Sequence, residues 1–392
     1  MLKRVKRRLI SILIICAFTI TTCCGWSCFT KAKENVIGIE YAKKMATIQI
    51  QSFIVNNEKD ELSKWEWGVY IEEPVPMYSP DGCIEAYYID VVDKAKNSIG
   101  YVIVGANKAH APIIEYGICN EFYPAAMIKE LGGDTFYYLG ETFYMIGNKK
   151  EIWDVSDFGK CNCVERKNMK NVKVIRSDYS ESWEYWEKFI NSHKIIIGDN
   201  KIDEPSYKTE LVNRTRQRDV NGYNQPYTVM NAFPGEESHC FPVASVNLFI
   251  YWTRFDGSHY SVLRQPNDRQ WRQTFNILKQ YMHTVNSSGV NGGTTPQNGV
   301  SGLTRYIREC GIHNLVQYIG NANKYTCMDE IDDGRPFIID YEHPEFSRHA
   351  MLILGYRNES AFTMRAVDGS SGYAGRFFTI DNMYGIVTIE MY

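Results

Sequence analysis

Apolar side chains recur along NVIGIEYAKKMATIQIQSF at three- and four-residue steps, through Ile39, Ala42, Met45, Ala46 and Ile50, and this spacing predicts an amphipathic helix. The period then drops to near two over CIEAYYIDVV and SIGYVIVGANKAHAPIIEYG. Gly82 and the cluster of Asn97, Ser98 and Gly100 mark turns, so these stretches predict antiparallel strands. TFYYLGETFYMIGNKKEIWDV adds aromatic strands to the same unit. Residues 34–160 therefore read as a small α+β domain.

From 161 to 222 the chain is polar and charged. SWEYWEKFINSHK predicts one short amphipathic helix there, and Arg214, Arg216 and Arg218 lie in a stretch with no apolar period, which reads as a linker open to proteases. From residue 223 the pattern tightens. VASVNLFIYWTRF predicts a helix through Val243, Val246, Leu248, Phe249 and Trp252, WRQTFNILKQYMHTV a second, and GVSGLTRYIRECG a third that stops at Gly311. PFIIDYE, HAMLILGYR, AFTMRAVDG and RFFTIDN follow as short strands. Helices followed by antiparallel strands make residues 223–392 an α+β domain rather than a run of βαβ units.

Composition narrows the function class. The 392 residues are 44% hydrophobic and 14% aromatic, enough for sizeable cores, and carry a net charge of -3 with no basic block beyond the first eight residues, so nucleic acid is not an expected partner. The start, MLKRVKRRLISILIICAFTITTCC, joins five basic side chains to a short apolar run and reads as an export signal over residues 1–28, with a retained membrane anchor, or a lipid on Cys23 or Cys24, as the alternative fate. No GxGxxG, GxxxxGKS or HExxH pattern occurs, and Cys161 and Cys163 are followed by no second close pair at structural-zinc spacing; no cofactor or metal is expected. Seven of the eleven cysteines lie beyond residue 28, an odd number for an exported chain, which draws attention to an unpaired thiol.

In ESHCFPVASVNLFIYW, Cys240 stands where a polar stretch gives way to an apolar helix, with Pro242 in the first turn, where proline is best tolerated. The positive end of the helix dipole favours a thiolate there, whereas a thiol that only fills the core gains nothing from it. A cysteine nucleophile needs an imidazole and a group to orient it. Among eight histidines, His349 opens the strand HAMLILGYR, sharing a face with Met351 and Ile353. Asp368 ends the next strand, so a hairpin brings the two together. Asp381 and Asn382 are the alternative orienting groups, one strand farther away.

CFPVASVNLFIYW, GGTTPQNGVSGLTRYI, SRHAMLILGY and AVDGSSG together resemble the C39-like branch of the papain-like cysteine peptidases over residues 223–392. The resemblance implies a papain-like fold with Cys240, His349 and Asp368 as nucleophile, base and orienting group, acting on a peptide or protein substrate. Residues 84–117 resemble the propeptide of streptopain-like cysteine peptidases, which implies an N-terminal domain that aids folding or inhibits the site in the same chain. One departure concerns the oxyanion donor. The family's glutamine shortly before the cysteine is absent, and Pro234, Gly235, Glu236 and Glu237 stand there instead. Gln225, fifteen residues upstream, is the favoured replacement, with Asn231 closer in sequence. Two alternatives share the fold: an exported binding domain without activity, and an amidase or transglutaminase using the same three residues.

Overall fold

The computed structural model describes residues 36–56, 60–119, 122–140, 143–148, 151–155, 162–164, 172–212, 216–233, 239–285, 293–313, 316–342, 348–358, 362–369, 372–379 and 385–390. Export and lipid attachment at residues 1–28, and the alternatives Asp381 and Asn382, lie outside them.

Helix α1 (Ile39–Asn56) buries Ala42, Met45, Ala46, Ile50 and Phe53. The strands that follow are β1 (Tyr70–Ile71), β2 (Val75–Tyr78), β3 (Ile84–Val92), β4 (Ser98–Gly105) and β5 (Ile113–Gly117), then helix α2 (Tyr123–Leu131) and strands β6 (Thr135–Gly140), β7 (Phe143–Gly147), β8 (Ile152–Asp154) and β9 (Asn162–Val164). Helices α3 (Ser180–Ser192) and α4 (Lys208–Val212) precede β10 (Arg216–Asp219). The helical block is α5 (Cys240–Phe255), α6 (Gly257–Tyr260), α7 (Arg272–Tyr281) and α8 (Pro296–Glu309). Then come β11 (Val316–Gly320), α9 (Lys324–Asp332), β12 (Phe337–Glu342), β13 (Arg348–Asn358), β14 (Phe362–Val367), β15 (Arg376–Thr379) and β16 (Gly385–Ile389).

The chain is thus α+β, with one large sheet in the order β11-β16-β12-β13-β14-β15-β5-β4-β3-β2-β6-β7-β8-β9. Its pairings are antiparallel except β2 with β6. The join between early and late strands is β15 with β5, through Arg376↔Gly117 and Phe378↔Glu115. Side chains reinforce it: Tyr116 stacks on Phe377 at 4.6 Å between ring centroids, and Phe53 of α1 meets both rings edge-on. Residues Ile39–Tyr392 pack as a single compact unit.

The stretch expected to be a linker is divided between the two parts of the sheet. Tyr207 donates to Gln51 of α1, and Gln51 in turn donates to the Asp203 carbonyl, at 2.6 and 2.9 Å. Arg216, Gln217 and Arg218 are not loop residues: they belong to β10, which pairs with β13 in register from Arg216↔Asn358 to Asp219↔Gly355. A run of charges hides this strand from a hydrophobic pattern, because an edge strand needs backbone partners rather than an apolar face. Its last residue, Asp219, accepts two bonds from buried Arg357, both within 2.9 Å.

Two glycines in NGVSGL have a packing reason. A Cβ on Gly299 would run into the Phe241 ring of α5, and one on Gly302 into Met282, so α8 approaches its neighbours closely only without side chains at these positions. Around α5, Val246, Leu248 and Phe249 are fully buried. Burial of each such side chain contributes about 1.5–3 kcal/mol, and this helix anchors the larger core.

Candidate active site

Cys240 is the first residue of α5, a 16-residue helix with His239 at the N-cap and no acidic side chain in its first turn. The first intrahelical bond runs from Val243 N–H to the His239 carbonyl, so Pro242 sacrifices no helical hydrogen bond. The Nε2 of His239 donates to the Met230 carbonyl at 3.2 Å, and its ring lies edge-on to Phe275. Cys240 is half-buried and carries a thiol, not a disulfide.

Cys240 lines a small cavity with Met230, Val243, Ala244, Asn247, Ala350, Val367, Asp368 and Gly369. It encloses about 160 Å³, none of it wide enough for a water molecule. Cys240 and Asp368 therefore meet at one cavity with Ala350 in its wall, and alternation along β13 turns the side chain of its neighbour His349 to the other face of the strand. Strand register explains the rest. Leu352↔Val367 and Ile353↔Ala366 place β13 and β14 so that His349, Met351 and Ile353 share a face with Asp368. Ala366↔Arg376 puts Arg376 on that face too.

Asp368 is 2% exposed, and its Oδ2 forms an ion pair with Nη1 of Arg376. Arg376 also pairs with Glu115 of β5 through Nη2, and its Nε donates to the Tyr101 hydroxyl at 2.7 Å. Glu115, fully buried, accepts further hydrogen bonds from Tyr101 and Tyr144. Burial, and secondarily the positive charge of Arg376, push His349 down from 6.5 to about 3. At neutral pH this imidazole is uncharged.

Gln225 is not brought to Cys240. Its amide lies at the far end of α5, where Oε1 accepts from Arg254 at 3.4 Å and Nε2 donates to the Tyr227 hydroxyl at 3.3 Å. Fourteen residues of helix separate Arg254 from Cys240, about 21 Å along the axis. The chain from 225 runs back along α5: Thr228 exchanges hydrogen bonds with Asn247, and Met230 reaches the cysteine cavity. The fifteen-residue separation of Gln225 from Cys240 is thus spent travelling alongside the helix. Asn231, next to Met230, lines the neighbouring cleft with Ile250 and Arg254 instead of the cysteine cavity.

Sequence reasoning overlooked Arg376 and Glu115. The signal was an arginine opening the apolar strand RFFT and a glutamate inside IIEYG, two opposite charges at positions that alternation marks as buried. Among the described residues no group of three or more His, Cys, Asp or Glu side chains is arranged to hold a metal, and no helix is long and apolar enough to cross a membrane.

No family model matches the chain, and no curated protein does. Among solved structures, a fragment of prointerpain A from Prevotella intermedia is similar over 78% of this chain and 94% of that one, with a TM-score of 0.33 and 11% identity. A likeness of that size is too slight to carry an argument about the site, which rests on its own geometry.

Proposed function

We propose that the protein is an exported cysteine peptidase held in a latent form, with Cys240 as nucleophile, His349 as acid and base, and Asp368 as the group that orients the imidazole. The observation that supports this best is Cys240 at the first position of a long helix, lining a cavity shared with Asp368. In the reaction, the Cys240 thiolate attacks the peptide carbonyl carbon. The C–N bond breaks as His349 gives its proton to the leaving amine, and water, deprotonated by His349, then cleaves the thioester. Backbone N–H groups at the start of α5 are the natural donors to the oxyanion.

Latency accounts for three features together: the cavity is too tight for water, His349 is neutral, and Asp368 is engaged by Arg376. Glu115, which holds the other side of Arg376, belongs to the N-terminal segment proposed to inhibit the site. The same features favour a second reading, a binding domain without activity. An amidase or transglutaminase would differ only in the acceptor of the acyl group.

The test compares wild-type protein with Cys240→Ala, both as the full chain and after limited proteolysis, by iodoacetamide labelling at Cys240 and by turnover of a broad peptide mixture. Activation by proteolysis, with turnover and labelling lost in the variant, is the expected result. A proteolysed wild type that neither labels at Cys240 nor turns over any peptide would leave the binding domain as the better reading.

A further inference from the structure

A second opening lies along the same face of α5. Cys240, Ala244, Asn247, Ile250 and Arg254 recur at steps of three and four, so they form one stripe. The first three line the cysteine cavity, and the last two line a cleft of about 470 Å³. Residues 226–232 form a wall common to both: Met230 faces the cysteine cavity, whereas Tyr227, Asn231 and Ala232 face the cleft.

The cleft has an unusual charge for a chain with a net charge of -3. Among the described residues, Arg254, Arg269 and Arg272 line it and no carboxylate does. Arg254 donates to the Pro226 carbonyl at 2.8 Å and Arg272 to the Ala232 carbonyl at 3.4 Å, so both guanidinium groups are fixed at the wall, with no acid among the described residues lining the cleft beside them. Behind the cleft, Asp268 is buried, and its Oδ2 accepts from Thr274 N–H inside α7. Asp256 is turned toward Ser258 and His259. Ile250, Tyr227 and Trp271 give the cleft an apolar lining. Trp271 sits at φ 60°, a left-handed backbone conformation costly for a bulky side chain, with Arg264 over its ring.

We propose that this cleft is a subsite for a carboxylate of the peptide substrate. Three guanidinium groups around an apolar lining fit a carboxylate carried on an aliphatic stem, because arginine donates to a carboxylate through two parallel N–H bonds while the stem packs on the aromatic surface. Ile250 and Arg254 lie ten and fourteen residues beyond Cys240, about 15–21 Å along the helix. An extended peptide advances about 3.3 Å per residue, so the carboxylate sits about five or six residues from the bond that is cut. The position of the cut rests on the peptidase reading; recognition of the carboxylate does not.

The experiment separates the two by using full-length protein carrying Cys240→Ala, which binds but performs no chemistry. Fluorescence anisotropy is measured with a labelled, C-terminally amidated decapeptide containing a Glu-Asp-Glu segment, with its Gln-Asn-Gln counterpart, and with that counterpart bearing a free C-terminal carboxylate. The expected result is at least about tenfold tighter binding of a carboxylate-bearing peptide than of the uncharged one, the two carboxylate sources being distinguished by which peptide gains. Arg269→Glu, at an exposed side chain that bonds neither wall carbonyl, removes that difference while leaving the unfolding temperature unchanged. Equal binding of charged and uncharged peptides, an undiminished preference in Arg269→Glu, or a single-stranded decanucleotide bound more tightly than any peptide would each overturn the proposal. Absence of peptide turnover in the proteolysed wild type, with the binding preference intact, would instead count against the peptidase reading.

Discussion

His349 offers a quantitative test of the buried site. Its burial, and then the charge of Arg376, lower its pKa from 6.5 to about 3. In the unfolded chain the same imidazole titrates near its ordinary value. Between these two values the unfolded state binds one proton more than the folded state, so stability is fully retained above about pH 6.5 and declines as pH falls toward 3. The shift corresponds to about 5 kcal/mol once complete, and to about 2 kcal/mol between pH 7.5 and pH 5. His349→Gln removes the titration while keeping a polar side chain. Urea unfolding of both proteins at the two pH values therefore shows the wild type losing about 2 kcal/mol more than the variant on acidification. Equal losses, or an imidazole NMR resonance that titrates near 6.5 in the folded protein, would refute the assignment of His349 as neutral and shielded by its surroundings.

Two further substitutions probe the supports of the site. Glu115→Gln leaves Arg376 facing Asp368 alone and removes a charged acceptor from Tyr101 and Tyr144, so urea unfolding is expected to show a loss of about 3–5 kcal/mol, with a loss below about 1 kcal/mol counting against a coupled pair. Gly299→Ala drives a methyl group into the Phe241 ring beside Cys240, and thermal unfolding is expected to show overpacking of about 1–3 kcal/mol, with an unchanged melting temperature arguing against the close approach of α8 and α5.

Much of the α+β order was legible because periodicity survives wherever one face of an element is buried. The stripe from Ile39 predicted α1, and the alternations of CIEAYYIDVV and SIGYVIVG predicted β3 and β4. The boundary at Cys240 was legible for a different reason: a proline in the first turn leaves few places for a helix to begin. What escaped was set by pairing rather than by local pattern. RQRD carries no apolar residue, yet β10 forms because β13 offers it a backbone ladder. The path of Gln225 depends on a hydrogen bond between Thr228 and Asn247, nineteen residues apart, which no local rule anticipates. The partners of Asp368 were hidden for the same reason, since Glu115 lies in another segment and comes near only when β5 joins β15.

That pairing ties the chemistry of the site to the N-terminal segment. A guanidinium buried without carboxylates would cost several kcal/mol, so Arg376 needs both Asp368 and Glu115 to remain where it is. A protonated His349 is disfavoured chiefly by burial and also by this same guanidinium. An ion pair between the Cys240 thiolate and a His349 cation therefore requires His349 to gain solvent or polar partners, or Arg376 to withdraw. Either change disturbs the contacts in which Glu115 takes part. Because Glu115 lies on β5 and Arg376 on β15, separation of these strands would release the guanidinium's second partner and open one edge of the core beside His349 at once. The β5 and β15 ladder is short, three residue pairs from Arg376↔Gly117 to Phe378↔Glu115, so the buried Arg376–Glu115 ion pair and the Tyr116–Phe377 stack carry much of the junction, and opening it would break both.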